Sequence, residues 1–183
     1  MDPIPKMTLT TDRLTLRPFA RADAPALHAL VNNRKVARML LRVPNPYPPG
    51  LAERWIAGHA RARATGAGYV FAIDLHGALI GTASLERRDG AYTLGYWIGE
   101  PWWGRGFASE AVRRLVDFAF DTLGETRIAA SCFQENKASA RILEKCGFVA
   151  KGAGALDCAA RGHMVPAAFL ELKRAPAAMD ARP

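Results

Sequence analysis

The sequence predicts an α+β domain of about seven strands flanked by helices, and three observations predict it. Three apolar runs suited to strands, Tyr69–Leu75, Ala78–Leu85 and Ala91–Ile98, follow one another with only short polar breaks. Strands in succession suit antiparallel pairing, whereas strands alternating with helices suit a wholly parallel sheet. The third run passes through Gly104-Arg-Gly106 into an amphipathic helix, and a further strand leads to a second helix opened by Asn136 and closed by Gly147-Phe148.

Taken in order, Met7 to Arg17 alternates apolar and polar residues around Leu14 and Leu16, the pattern of one half-buried strand ended by Pro18. Asp23 is placed to cap a helix over Ala24–Asn32 with Leu27, Leu30 and Val31 inward, and a short helical piece follows at Val36–Leu41. The stretch VPNPYPPG carries four prolines and excludes helix. It is either a plain connector or a stiff wall for a substrate cleft, with Asn45 and Tyr47 as its polar lining. Leu51–Ala64 reads as one helix with Trp55 and Ile56 inward, and His76-Gly77 joins the first two strand runs as a hairpin. A polar interval, Glu86–Gly90, precedes the third run.

From Ser109 to Leu123 the apolar positions Val112, Leu115, Val116, Ala119, Phe120 and Leu123 recur at three- and four-residue steps, so one helix face is buried. Gly124 stops that helix and Arg127–Phe133 is a strand. Asn136 caps the next helix, Ile142, Leu143 and Cys146 form its apolar stripe, and Phe148 folds back over its end. Strands at Phe148–Leu156 and Met164–Leu172 complete a single domain over 1–174. The alanine- and proline-rich tail, 175–183, is expected to be disordered.

Half of the 183 residues are hydrophobic, enough for one substantial core. The chain contains no run of about eighteen apolar residues, and the opening MDPIPKMTLT lacks the apolar core of a signal peptide, so the expectation is a cytoplasmic protein without a membrane span. Cys132, Cys146 and Cys158 form no C-x-x-C pair, and the four histidines lack ligand spacing, so neither a disulfide framework nor a metal site is expected. The net charge of +8 comes from scattered Lys and Arg without a dense basic tract. It suits a solvated surface that attracts a polyanionic small molecule, with a basic nucleic-acid-binding protein as the alternative.

Strand, glycine turn and helix N-terminus together make an anion site. The first N–H groups of a helix have no internal partner, and the helix dipole adds partial positive charge there. Gly104, Gly106 and the small Ala108 let a phosphate come close to the backbone, and a diphosphate is the expected ligand. A P-loop would need Lys-Ser/Thr after its last glycine and a Rossmann turn a third glycine; neither is present.

The order of these stretches resembles the GCN5-related N-acetyltransferases (GNAT), and more narrowly their ribosomal-protein alanine N-acetyltransferase branch. The likeness is carried by Leu94-Gly-Tyr-Trp-Ile98, Trp103-Gly-Arg-Gly-Phe-Ala-Ser-Glu-Ala111, Asn136-Lys-Ala-Ser139, Leu143-Glu-Lys-Cys-Gly-Phe148 and the opening Thr11-Asp-Arg-Leu-Thr-Leu-Arg-Pro18. The resemblance implies a mixed, mostly antiparallel sheet with a V-shaped opening between two parallel central strands, Tyr92–Ile98 and Arg127–Phe133. It implies acetyl-CoA as co-substrate, with the backbone of Ile98 on the pantetheine arm, and the amides of Arg105, Gly106, Ala108 and Ser109 on the pyrophosphate. Asn136 and Ser139 then lie near the pantetheine and the thioester sulfur, and Ser139 is the candidate proton donor to the leaving thiolate.

The implied reaction moves an acetyl group to a primary amine by direct attack in a ternary complex; the alternative is a sensor that binds acyl-CoA without turnover. Many relatives carry a glutamate on the central strand shortly before Gly-Tyr-Trp, where this chain has Tyr92-Thr93-Leu94. The base is therefore sought at Glu86 or Asp157, acting through water, or in solvent itself, while Glu100 and Glu110 are expected to support the turn and the helix electrostatically. Trp103, first in the glycine motif, is expected in the core, with the cleft wall as the alternative. The loops Leu41–Leu51, Glu86–Tyr92 and Cys158–Met164 would set the acceptor, with Asn45, Tyr47 and Tyr92 as candidate contacts. That acceptor is a protein N-terminus, an amino acid, a polyamine or a drug. The resemblance also suggests a homodimer.

Overall fold

The computed structural model describes residues 7–175, so the tail expected to be disordered lies, beyond Ala175, outside the described residues. Eight strands form one sheet in the order β1-β2-β3-β4-β5-β6-β8-β7. The strands are β1 (Leu9–Thr10), β2 (Thr15–Pro18), β3 (Gly68–Leu75), β4 (Ala78–Arg88), β5 (Ala91–Ile98), β6 (Arg127–Phe133), β7 (Val149–Cys158) and β8 (His163–Lys173). The helices are α1 (Ala24–Val31), α2 (Arg34–Ala37), α3 (Leu51–Ala57), α4 (His59–Ala64), α5 (Phe107–Asp117) and α6 (Lys137–Lys145). Every strand pairing is antiparallel except that of β5 with β6.

The eighth strand arises because Met7–Arg17 is not one strand. It turns at Asp12-Arg13, where Thr11 N–H donates to Leu14 C=O at 3.0 Å, and comes back as β2. The β3–β4 hairpin turns at His76-Gly77, both with positive φ (52° and 88°), as the twist of a two-residue hairpin requires. Asp74 Oδ1 accepts from Gly77 N–H at 2.7 Å and holds that turn. A second turn of the same kind, Asp89-Gly90 (φ 47° and 78°), joins β4 to β5. Glu86 therefore lies within β4, paired with Thr93, and not in a polar interval beyond it.

Two helix expectations change as well. Leu51–Ala64 breaks at Gly58 into α3 and α4, with Ile56 buried and Trp55 more than a third exposed. Asp23 precedes α1 but leaves its first turn uncapped. Its carboxylate accepts from Ala20 N–H at 2.7 Å and from both terminal nitrogens of Arg17, while Arg17 Nε donates to Asp74. An ion pair across the β2–β3 seam has taken the group that the sequence offers as a cap.

One face of the sheet carries Leu85, Leu94, Ile128, Ala130 and Leu170, and packs under α5 and α6 through Val112, Leu115, Phe118 and Leu143. The other face carries Ala72 and Leu79 under Leu27 and Val31 of α1 and Ala52 and Ile56 of α3. A five-residue π turn, Phe118–Thr122, continues α5 to Leu123. Gly147 ends α6 with positive φ, and Phe148, whose N–H donates to Leu143 C=O, is buried against the core as C-terminal motifs require.

Candidate functional site

The parallel ladder between β5 and β6 is short. It pairs Tyr92 with Ile128, Thr93 with Ala129 and Leu94 with Ala130, and then stops, although β5 runs on to Ile98 and β6 to Phe133. Each strand keeps its outer neighbour, β4 or β8, so the two diverge into a wedge.

Register tells which main-chain groups face that wedge. Gly99 N–H donates to Ile80 C=O at 2.8 Å, which makes alternate β5 residues, Trp97, Gly95 and Thr93, the ones bonded to β4. Tyr96 and Ile98 therefore aim their N–H and C=O groups away from β4, into the gap. Gln134 N–H on Pro166 C=O sets the same alternation on β6 and aims the main chain of Ser131 into the gap from the other side. The Ile98 carbonyl is taken by Trp103 Nε1 at 2.6 Å. Trp103 is 47% exposed, so it forms part of the wall and not of the core.

Immediately beyond lies the glycine turn. Gly104 and Gly106 have φ of 74° and 81°, and Gly106 precedes the first residue of α5. Only glycine holds that left-handed conformation without strain, which is why the turn reads Gly-x-Gly. The first intrahelical bond is Glu110 N–H to Gly106 C=O. Among the described residues, none of the N–H groups from Arg105 to Ser109 donates to another protein group, and the positive end of the helix dipole adds to them. Arg105 holds its guanidinium over the Phe107 ring, 5.2 Å from the centroid.

This turn is braced from behind by Arg13 in the β1–β2 turn. Its Nε donates to Glu110 Oε2 at 2.7 Å, its Nη1 to the Arg105 carbonyl at 3.0 Å, and its guanidinium covers Phe107 at 4.6 Å. Glu110 Oε1 also accepts from Thr11 Oγ1 and from Arg13 N–H. Burial alone would raise the Glu110 pKa; the bonds from Thr11 and Arg13 outweigh it and hold the carboxyl below its usual range. Glu100 serves the other side of the turn by accepting from Asn33 Nδ2 and Lys35 Nζ, which ties α2 to it.

Across the wedge, Asn136 Oδ1 caps α6 by accepting from Ser139 N–H at 3.1 Å. That cap sets Ser139 against β5, where its Oγ lies 2.8 Å from Tyr96 Oη. Burial pushes the Tyr96 phenol well above its ordinary value, the bond to Ser139 offsetting only part of the shift, so it stays protonated. Neither Tyr96 nor Arg13 stands out in the sequence alone. Tyr96 could have been found from strand parity, which puts it on the face of Leu94 and Ile98; nothing local to Arg13 points to a carboxylate 97 residues away.

The wedge is part of one cavity of about 1570 Å³ that runs through the sheet. On the α5–α6 side it is lined by the glycine turn, Tyr96, Cys132 and the first turn of α6. On the opposite side it reaches Thr82, Ser84 and Glu86 of β4, Thr93 and Trp97 of β5, and the apolar flanks of α1 and α3. Glu86 lines this second side, where Arg42 Nη2 bonds both its oxygens at 2.7 and 2.6 Å and Arg88 adds a third contact at 3.1 Å. Burial raises its pKa less than the two arginines lower it, and it stays ionised.

Not all of the expected residues reach the cavity. Asp157 is exposed on the edge strand β7, and strand alternation turns it to the face opposite Leu156, which does line the cavity. Tyr92 is 2% exposed at the closed end of the ladder, donating to Gly66 C=O at 2.7 Å, so it belongs to the core. Tyr47 lines the cavity but is buried, packed edge-on to His28 with its N–H on Asn32 Oδ1. Asn45 is not among the lining residues. Among the described residues the three cysteines are free, no His, Cys, Asp and Glu cluster is arranged to hold a metal ion, and no helix is long and apolar enough to cross a membrane.

Residues 13–149 match the family model of the acetyltransferase (GNAT) domain. The chain is 34% identical over 149 residues to an uncharacterised N-acetyltransferase, YoaA, of Bacillus subtilis, covering 79% of this chain and 84% of that one. In fold it is similar to RimL, a ribosomal L7/L12 alpha-N-protein acetyltransferase solved in complex with coenzyme A (TM-score 0.79, 19% identity, 91% and 98% of the two chains). It is also similar to a ribosomal-protein-S5-alanine acetyltransferase from Vibrio fischeri (TM-score 0.79, 19% identity, 97% and 100%).

Proposed function

The chain belongs to the GNAT acetyltransferase family, and from that premise we propose that it moves an acetyl group from acetyl-CoA to a primary amine by direct attack in a ternary complex. The observation that carries this reading is the through-sheet wedge, with a fan of N–H groups at one end and an apolar chamber at the other. The N–H groups of Arg105, Gly106, Ala108 and Ser109 hold the pyrophosphate, and Phe107 N–H belongs to the same fan. The main-chain groups of Tyr96, Ile98 and Ser131 supply the missing strand-like partners for the amides of the pantetheine arm, with Asn136 beside it. The acetyl end then lies in the wedge, and the amine enters from the β4 side.

The chemistry asks little of specialised groups. The amine nitrogen bonds to the acetyl carbon, the carbon–sulfur bond breaks, and a main-chain N–H near Ile98 stabilises charge on the carbonyl oxygen. Ser139 Oγ–H donates to the departing thiolate while the protonated Tyr96 holds Ser139 Oγ in place. Glu86, already tied by Arg42 and Arg88, is too weak a base to take the amine proton. Water in the open cavity takes it instead, and alignment of the two substrates supplies much of the rate.

Calorimetry with acetyl-CoA, followed by thiol release over a panel of amines, tests this reading. Binding with turnover on at least one amine is expected. Binding without turnover on any amine would make the protein a sensor, and salt-dependent nucleic-acid binding without affinity for CoA would overturn the reading altogether.

A further inference from the structure

The acceptor side of the cavity is asymmetric in charge. Its walls are mostly apolar, with Leu27, Val31, Leu51, Trp55 and Trp97 lining it beside the hydroxyls of Thr82, Ser84 and Thr93. Four carboxylates reach the lining, Glu86, Asp89, Glu135 and Glu171. Three of them are already occupied: Glu86 by Arg42 and Arg88, Glu135 by Arg161 and Arg38, and Glu171 by Arg127, Lys151 and Lys173. The fourth, Asp89, sits in the exposed β4–β5 turn. A polyamine inside this chamber would therefore find mostly apolar walls and, apart from Asp89 out in the exposed turn, carboxylates already paired, so its second ammonium would lose water without gaining a partner there.

Donors, by contrast, are in surplus. Arg42 uses only Nη2 on Glu86; among the described residues its Nε and Nη1 have no partner, and its side chain is 65% exposed at the chamber mouth. Arg88 likewise spends one nitrogen on the same carboxylate. Two guanidinium groups on a single carboxylate leave one positive charge and a free donor edge beside an apolar pocket, the arrangement that receives a carboxylate.

Resting on the acetyl-transfer reading above, we infer that the acceptor is a monoamine that carries an apolar side group and a carboxylate, and that Arg42, held in place by Glu86, reads that carboxylate. A free apolar α-amino acid and a peptide with an apolar N-terminal residue followed by an acidic one share this chemistry.

The test is thiol release at saturating acetyl-CoA with L-leucine, L-leucinamide, Leu-Asp-amide and spermidine, on wild type and Arg42→Ala. The ratio of leucine to leucinamide kcat/KM should fall about tenfold in the variant, through KM. Comparing that ratio between the two proteins cancels the different basicities of the two amines. Leucine turned over in preference to Leu-Asp-amide identifies a free amino acid as the source, and the reverse an acidic peptide. Thermal shift with acetyl-CoA establishes that the variant folds and loads, and Arg42→Lys should recover part of the preference. Spermidine or leucinamide used as well as the anionic acceptors, or an unchanged ratio in Arg42→Ala, would overturn this substrate class while leaving acetyl transfer intact. Turnover of no amine at all would sink both.

Discussion

Tyr96 Oη and Ser139 Oγ stand 2.8 Å apart, one on β5 and the other in the first turn of α6, so the two elements that flank the wedge meet through a pair of hydroxyls. If that pair delivers the proton to the leaving thiolate, Ser139→Ala should lower kcat by about 10- to 100-fold with little change in acetyl-CoA affinity. Tyr96→Phe should cost less, about 3- to 10-fold, because it removes the orienting partner and not the donor. Steady-state kinetics with separate calorimetry checks both, and an unaltered kcat in Ser139→Ala would return that side chain to a structural role.

The clamp of Arg13 on Glu110 and the Arg105 carbonyl should set how well the glycine turn is presented. Arg13→Ala is expected to weaken acetyl-CoA binding by about 10-fold, with kcat at saturation nearly preserved. A variant with unchanged affinity would show that the turn holds its shape alone.

Glu110 makes the clamp sensitive to acid. Its folded pKa lies below the unfolded value of about 4.3, so its contribution to stability is fully present above that value and is lost as pH falls through the folded pKa. Melting curves should show wild type more stable than Glu110→Gln at neutral pH and the gap closing below about pH 4. A gap that stays constant down to pH 2 would contradict the assignment.

At Gly106 the left-handed φ of 81° alone makes any side chain cost about 1–2 kcal/mol. A glutamate there also sets negative charge where phosphate is expected. Gly106→Glu should raise the acetyl-CoA dissociation constant at least 100-fold, well beyond what Gly106→Ala does. Equal losses in the two variants would mean that backbone strain, and not the anion site, is being measured.

Ionised and paired to arginines, Glu86 should not set the pH dependence of the reaction near neutrality. The rate constant kcat/KM should rise with pH as the acceptor's ammonium loses its proton and level off above the acceptor's own pKa, which differs from one amine to the next. Glu86→Gln should leave the position of that limb where it was. A limb common to all amines and shifted in Glu86→Gln would make Glu86 the base.

Motifs whose meaning is local were legible in the sequence. The Asn136 cap, the Gly147-Phe148 closure, the His76-Gly77 hairpin and the glycine turn each depend on neighbours within a few residues, and each stands where the residues indicate. What escaped depends on distant partners. Asp23 reads as a helix cap until Arg17, pinned on its other side by Asp74 of β3, takes its carboxylate, and the role of Arg13 stays hidden until α5 folds beneath it. Tyr92 lies at the closed end of the ladder, and Asp157 on the wrong face of its strand. A strand side chain belongs to one side of the sheet or the other, and that parity is fixed by pairing that no single segment reveals. Gly58 escaped for a subtler reason, since a helix of sound amphipathic pattern and a pair of shorter helices bent at one glycine leave nearly the same periodicity.

The early end of the β5–β6 ladder bears on cohesion as well as on catalysis. Interior strands normally lend each other rigidity along their whole length, yet here two of them part company midway, and three residue pairs carry the joint between the halves of the sheet. Evolution has placed a seam in the middle of the molecule, where most folds put their strongest weld. A ligand that binds across this seam should therefore stabilise the folded protein in proportion to its occupancy.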